Sequence, residues 1–259
     1  MIRALYSAAT GMVGQQTSLD VIANNLANVN TPGFKKSKIE FQDLIYQNSK
    51  LAGADVGGGN QTPTGIQVGH GSRIMSTAKV FTTGELQHSD SQLDVAINGP
   101  GFFAVTMADG STAYTRDGSF RVDSTGRLVT SDGLPLKSAI TIPINATDVS
   151  IAPTGEVTMR VGNANQTANL QIARFANPAG LDAIGRNLYK ENVASGAAEE
   201  AAPGTEGYGT LAQNYIEGSN VKVVEEMVNM IVAQRAYEVN SKAVQTADEM
   251  LQMSDNLKR

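Results

Sequence analysis

The sequence has 259 residues, 41% of them hydrophobic, with 26 glycines, 5% aromatics and no tryptophan; that is enough apolar material for one or two domains and favours a turn-rich body. Its net charge of -5 argues against nucleic acid or an anionic membrane surface as partner, since both need a basic face. The absence of cysteine removes disulfides, thiolate metal sites and cysteine nucleophiles, and no apolar run approaches the ~18 residues of a transmembrane helix.

The first element in chain order is a helix. Ile2, Leu5, Ala9, Met12, Gln16, Leu19, Ala23 and Leu26 step by three and four, and seven of these eight are apolar, which makes a coiled-coil-type seam. Only Arg3 and Asp20 carry side-chain charge in the first 34 residues, so most faces of this helix are expected to meet protein. Ser7, Thr10, Gln15 and Gln16 interrupt the apolar residues, so the start does not read as a cleavable signal peptide, and composition alone points to the cytosol. The helix is expected to stop near Val29, because Pro32 disfavours helical geometry at Thr31. Thr31-Pro32-Gly33-Phe34 suits a type II turn at the helix end, with Pro32 at the second position and Gly33 at the third.

Residues 35–47 carry isolated apolar positions (Ile39, Phe41, Leu44, Ile45) and take no assignment. Residues 48–65 are rich in Gly, Asn, Gln, Thr and Pro and read as an extended polar arm. From about 66 to 217 the chain reads as β, in short alternating runs. Asp109-Gly110, Asp117-Gly118 and Asp132-Gly133 are hairpin dipeptides, and Thr125-Gly126 and Thr154-Gly155 mark further turns. Residues 194–207 read as a loop.

The last element is one helix from about Val221 to Leu257, ~55 Å long at 1.5 Å per residue. Ser219 or Asn220 can cap it, Glu225 and Glu226 suit its positive end, and Lys258 and Arg259 its negative end. One stripe along it is Val223, Met227, Met230, Tyr237, Val244 and Leu251; a second is Val232, Ala236, Val239, Ala243, Met250, Met253 and Leu257. Two stripes imply more than one neighbour. The expected fold class is α+β: N- and C-terminal helices forming a coiled-coil-like layer, a β-rich middle domain and an extended polar arm. The expected division is a terminal helical domain of 1–34 plus 219–259, a linker or arm at 35–65 and a β-rich domain at 66–218. The candidate polymer-interface residues are Leu5, Met12, Leu19 and Leu26 on the first helix and Met227, Met230, Tyr237, Val244 and Leu251 on the last.

The ends of the chain resemble a known family. The run from Asn24 to Lys35 (NNLANVNTPGFK) is similar to the N-terminal signature of flagellar rod and hook proteins. The segments Val224–Ile231, Ala233–Glu238 and Asn240–Lys242 resemble their C-terminal signature. Asp94–Phe103 and Ala113–Phe120 resemble the family's β domain, so the likeness covers nearly the whole chain. Phe41–Gln47, followed by a polar arm before Gly69, resembles the distal-rod pattern within that family. The resemblance implies a structural subunit of a helical tube in the basal body, with the terminal helices as its inner layer around an export channel. It implies a drive shaft crossing the periplasm, export without a cleaved signal, and motility as the biological role, which overrides the composition-based cytosolic reading. The implied partners are further copies of the chain, proximal-rod and hook subunits and the surrounding ring proteins, with no nucleic acid, no membrane insertion and no cofactor.

Other readings have less behind them. His70 and His88 lack a second His or Cys at ligand spacing and read as surface histidines. Gly57-Gly58-Gly59 lacks the Lys-Ser/Thr of a phosphate loop. A hydrolase needs two carboxylates facing across a cleft, but Asp109, Asp117 and Asp132 precede glycine, as turns themselves select. No catalytic or metal-binding residue is therefore assigned, and the chain is read as not an enzyme. The alternatives are a proximal-rod or hook-type subunit, and a secreted β-rich glycan-binding protein or hydrolase.

Overall fold

The computed structural model describes residues 2–53, 63–162 and 164–256. Among them are two α-helices and nineteen short strands, which makes the chain α+β. The chain divides into two compact units: one of residues 1–26, 37–78 and 223–259, the other of residues 27–36 and 79–222.

The first unit holds both helices, α1 (Ile2–Ala27) and α2 (Val223–Asn256), and the strands β1 (Ser37–Asp43), β2 (Tyr46–Lys50), β3 (Ile66–Gly69) and β4 (Ser72–Lys79). The helices run antiparallel. A Cβ on Gly11 would come 2.9 Å from Asn240 Nδ2, and Asn25 Nδ2 donates to Glu226 Oε2 at 3.4 Å, so a step of fourteen residues along α1 matches fourteen back along α2. Gly11 costs helix propensity but lets the helices approach at this point. Asn25, buried inside the unit, acts as a strand partner: its Nδ2 donates to Ser37 O and its Oδ1 accepts from Ser37 N, both at 2.9 Å. That pair fixes the start of β1, which pairs with β4, so part of the segment left unassigned from sequence is strand. β2 and β3 form an antiparallel ribbon whose residues are almost all exposed. The middle of the expected polar arm, residues 54–62 with Gly57-Gly58-Gly59, lies outside the described residues, as do Leu257, Lys258 and Arg259.

The second unit is the β body. Its strands are β5 (Leu86–His88), β6 (Val95–Asn98), β7 (Phe102–Thr106), β8 (Thr112–Thr115), β9 (Arg121–Val122), β10 (Leu128–Val129), β11 (Ala146–Ile151), β12 (Glu156–Val161), β13 (Ala164–Asn169), β14 (Ile172–Arg174), β15 (Asp182–Gly185), β16 (Leu188–Lys190), β17 (Glu199–Ala201), β18 (Thr210–Gln213) and β19 (Tyr215–Glu217). Six of them form one sheet in the order β15-β16-β8-β7-β14-β17. Successive side chains on a strand face opposite ways, so Phe103, Val105, Ala113 and Ile172 enter the main core. Phe102, Ala104, Tyr114 and Ala173 enter a smaller aromatic cluster with Phe175 and Tyr189 on the other face. Val149, Ile151, Val157 and Met159, from the three-stranded sheet β11-β12-β13, complete the main core.

Gly110, Gly126, Gly133 and Gly155 all take positive φ at their turns. Asp117-Gly118 is different: it is not a hairpin. Gly118 lies against β6, where its carbonyl accepts from Val95 N at 3.0 Å and a Cβ would collide with Val95 O. Here glycine serves close approach of backbones rather than a turn. The expected loop at 194–207 contains β17, which pairs with β14.

Candidate functional site

The helix faces are the first candidate surface. On α1, Ala8, Gly14, Ile22 and Asn25 are buried, and Leu5, Met12, Gln15, Leu19 and Leu26 are half-buried beside them. The packed face therefore steps through 5, 8, 12, 15, 19, 22 and 26, while Ala9, Gln16 and Ala23 of the seam expected from sequence are exposed. On α2, Glu226, Ala233 and Ala247 are buried. Met230, Val244 and Leu251 are half-buried, and Met227 and Tyr237 are exposed. The other side of α2 is apolar but uncovered: Val224 is 75% exposed, Ile231 57%, Val232 61% and Val239 65%, with Met250 and Met253 further along. On α1, Tyr6 and Val13 are likewise exposed.

The second feature is a buried ionic cluster inside the β body, which nothing in the local sequence pattern announces. Lys35 follows the turn after α1, and Glu217 ends β19 ahead of α2. Lys35 Nζ donates to Glu217 Oε1 at 2.6 Å and to Thr82 O at 2.7 Å. Glu217 Oε1 also accepts from Gly84 N at 2.8 Å, and Glu217 Oε2 accepts from Arg116 Nη1 at 3.4 Å. Arg116 Nη2 donates to Gly99 O at 2.8 Å, and its guanidinium lies 5.3 Å from the Phe102 ring centroid. All three side chains are at most 2% exposed. Burial lowers the Lys35 amine from its ordinary value, and Glu217 beside it opposes that shift. Burial also lowers Arg116, again against the pull of Glu217. Two cations face one carboxylate, so the cluster carries one surplus positive charge, spread over backbone carbonyls.

The same place holds the segments that adjoin the two helices. Gly33 N donates to Glu217 O at 2.8 Å, and Lys36 N to Asn220 Oδ1 at 2.8 Å. Gly33 has φ +69, and a Cβ there would sit 2.7 Å from Asp117 N. Arg116 also lines a cavity of about 570 Å³ on the aromatic face of the six-stranded sheet, with Phe81, Phe102, Phe175, Pro100 and Pro178 among its walls. Among the described residues, Arg116 Nε has no hydrogen-bond partner.

Neither histidine stands in a constellation. His70 Nδ1 is 3.1 Å from Ile45 O, and His88 Nδ1 is 3.0 Å from Asn214 O. Among the described residues no three His, Asp or Glu side chains are grouped to hold a metal ion, and no helix is long and apolar enough to cross a membrane.

Three family models match the chain. "Flagella basal body rod protein" matches residues 5–35, "Flagellar hook protein FlgE/F/G D1 domain" residues 96–159, and "Flagellar basal body rod FlgEFG protein C-terminal" residues 212–257. Lys35, Arg116 and Glu217 fall one in each. The chain is 49% identical over 264 residues to the flagellar basal-body rod protein FlgG of Borreliella burgdorferi, covering 100% of both chains. It is 46% identical over 261 residues to the FlgG of Caulobacter vibrioides, covering 99% of this chain and 100% of that one. It is 44% identical over 269 residues to the FlgG of Bacillus subtilis, covering 100% of both.

Proposed function

The chain belongs to the flagellar basal-body rod protein family, and from that premise we propose that it is a structural subunit of the distal rod, polymerising into a rigid helical tube. The observation that carries this reading is the uncovered apolar side of α2, from Val224 through Ile231 and Val232 to Val239. A monomer in water gains nothing from such a stripe, and contiguous exposed apolar surface of this kind marks an interaction site. Further copies of the same helices are its natural cover, with Leu5, Met12, Leu19 and Leu26 and with Met227, Met230, Tyr237, Val244 and Leu251 in or beside the contact. Contacts between different patches that do not close into a ring build an open helical filament.

In this reading the helices form the inner layer of the tube around an export channel, and the role is mechanical rather than catalytic. Inside the β body, Lys35 and Glu217 hold the segments that adjoin the two helices in sequence through a buried ion pair with backbone partners. The ribbon of β2 and β3, which is too small to be stable alone in water, lies against neighbouring subunits and limits sliding between them. The other partners are proximal-rod and hook subunits and the rings around the rod, in the basal body across the periplasm. The test is sedimentation velocity of the purified full-length chain over a wide concentration range, with electron microscopy of the fast species. Cooperative growth into tubes above a threshold concentration supports the reading. A chain that stays monomeric up to its solubility limit refutes it.

A further inference from the structure

The buried positions of the helix pair are small or apolar, with one exception on each helix. Among the described residues, Ala8, Gly14 and Ile22 are buried on α1 and Ala233 and Ala247 on α2, whereas Asn25 and Glu226 are buried and polar. Beside them the apolar pattern repeats every seven residues, through Leu5, Met12, Leu19 and Leu26 on α1 and through Met230, Tyr237, Val244 and Leu251 on α2. Seven residues is the period of a coiled-coil seam. Apolar contact is non-directional, so sliding one helix along the other by one such repeat sets Leu and Met against apolar side chains again. The buried alanines and glycine offer no large side chain to forbid the slip.

Asn25 is directional because its amide is held in place. Its Oδ1 accepts from Ser37 N and its Nδ2 donates to Ser37 O, both at 2.9 Å. An amide nitrogen carries two hydrogens. The bonds to β1 use one of them and fix the amide plane, which leaves the second for α2, where Glu226 Oε2 accepts it at 3.4 Å. Asn25 is 2% exposed and Glu226 5%, so water is a poor substitute for either partner. In the observed register Gly11 faces Asn240 and Asn25 faces Glu226. A slip of seven residues one way sets Gly11 opposite Ala233 and Glu226 opposite Ser18. The other way, Gly11 meets Ala247, Asn25 meets Ala233, and Glu226 passes beyond the end of α1 at Ala27. Either slip parts Asn25 from Glu226, and a buried polar group without its partner is costly.

We propose that Asn25 and Glu226 are the registering pair of the two helices: the apolar seam holds α1 to α2, and this polar contact fixes where along each other they stop. A single buried polar contact that selects one register out of several apolar alternatives is the best-attested use of such groups. Asn25 and Glu226 are positioning residues, since they act through the surface they align. Tyr6 and Val13 of α1 and Val232 and Val239 of α2 are exposed, and the register decides which of them stand side by side. The inference concerns the pair within one chain, so it goes beyond the rod-subunit reading and does not depend on it.

The experiment uses the full chain, whose lack of cysteine makes crosslinking specific. Gly11→Cys is combined with Asn240→Cys, which reports the observed register, or with Ala233→Cys or Ala247→Cys, which report the two slipped ones. Each double variant is oxidised and its intrachain link quantified by peptide mapping. With Glu226 in place, the link between positions 11 and 240 is expected to exceed each of the others by roughly tenfold or more. Adding Glu226→Met is expected to raise a slipped link to a comparable yield. Glu226→Gln keeps an acceptor for Asn25 Nδ2 and is expected to restore the single register. Glu226→Met chains that link only positions 11 and 240 would overturn the proposal, because the register would then be set elsewhere. A fall of all three links together would overturn it too, since the pair would hold the helices without aligning them. So would absence of the link between positions 11 and 240 with Glu226 in place. The links are read in monomer and tube alike, so failure of the chain to assemble would sink the rod-subunit reading and leave this test standing.

Discussion

Replacing Glu217 by Gln removes the only carboxylate of the buried cluster while keeping its shape. Wild-type Glu217 accepts from Lys35 Nζ at 2.6 Å, Gly84 N at 2.8 Å and Arg116 Nη1 at 3.4 Å. At an effective dielectric near 20, unit charges 4 Å apart attract by about 4 kcal/mol, and losing one partner of a buried pair typically costs ~3–5 kcal/mol. Gln keeps one acceptor for Lys35 and Gly84, and burial already lowers the Lys35 amine from its ordinary value, which eases the loss of its counter-charge. The expected loss is therefore at the low end, about 3 kcal/mol, or roughly 6–12 °C in the midpoint for a body of this size. The assay is urea unfolding of the monomer, followed by the near-ultraviolet dichroism of the tyrosines, since Tyr114 and Tyr189 are buried in the β body. The control is Glu200→Gln, which breaks the partly exposed pair with Lys137 at 2.7 Å and should cost under about 1 kcal/mol. A Glu217→Gln loss no larger than that of Glu200→Gln would refute the argument that this cluster anchors the body.

Leu19→Asp places a charge on the packed face of α1 and is expected to abolish assembly in sedimentation while leaving the tyrosine dichroism of the β body unchanged. Deleting residues 48–65 is expected to leave the β body folded and to give tubes that bend more easily, read as a shorter persistence length in micrographs; tubes of unchanged stiffness would remove the arm from the account. The Asp123 carboxyl is held down to about 2 from 3.8, chiefly by the hydrogen bond from the Thr125 hydroxyl and next by the Arg127 N–H. A depressed carboxylate contributes its stability above the unfolded value and loses it as pH falls through the folded one. Amide protection around Gly126 should therefore weaken as pH drops from about 4 toward 2, and Asp123→Asn should flatten that response.

Sequence makes some of this fold legible and hides the rest for identifiable reasons. The helices are readable because apolar residues recur at three and four over long stretches. On α1 the face packed within the chain runs through Ala8, Gln15 and Ile22, where the seam expected from sequence has Ala9, Gln16 and Ala23; Ala8 beside Ala9, like Gln15 beside Gln16, offers periodicity no means of choosing between neighbours. What chooses is partner geometry: Gly11 must face Asn240, and Gly14 lies 3.1 Å, from its would-be Cβ, to the Phe41 ring. The β turns at Gly110 and Gly126 are readable because their dipeptides encode them, whereas Asp117-Gly118 has the same letters and another task, set by Val95 on a distant strand. The cluster of Lys35, Arg116 and Glu217 is assembled across 182 residues of chain. Lys35, the first of the run Lys35-Lys36-Ser37-Lys38, and a lone Glu before Gly218 look like solvated charges, so only the tertiary structure exposes the pair.

The central claim is that α1 and α2 complete their burial on contact with further copies. Hydrogen exchange of the full-length chain, measured on verified monomer and on assembled tubes, tests it most directly. The account predicts that amides of residues 2–27 and 223–256 exchange far faster than those of β7, β8 and β14 in the monomer, and become protected on assembly. Strong protection of both helices in the monomer, unchanged in the tube, would contradict it.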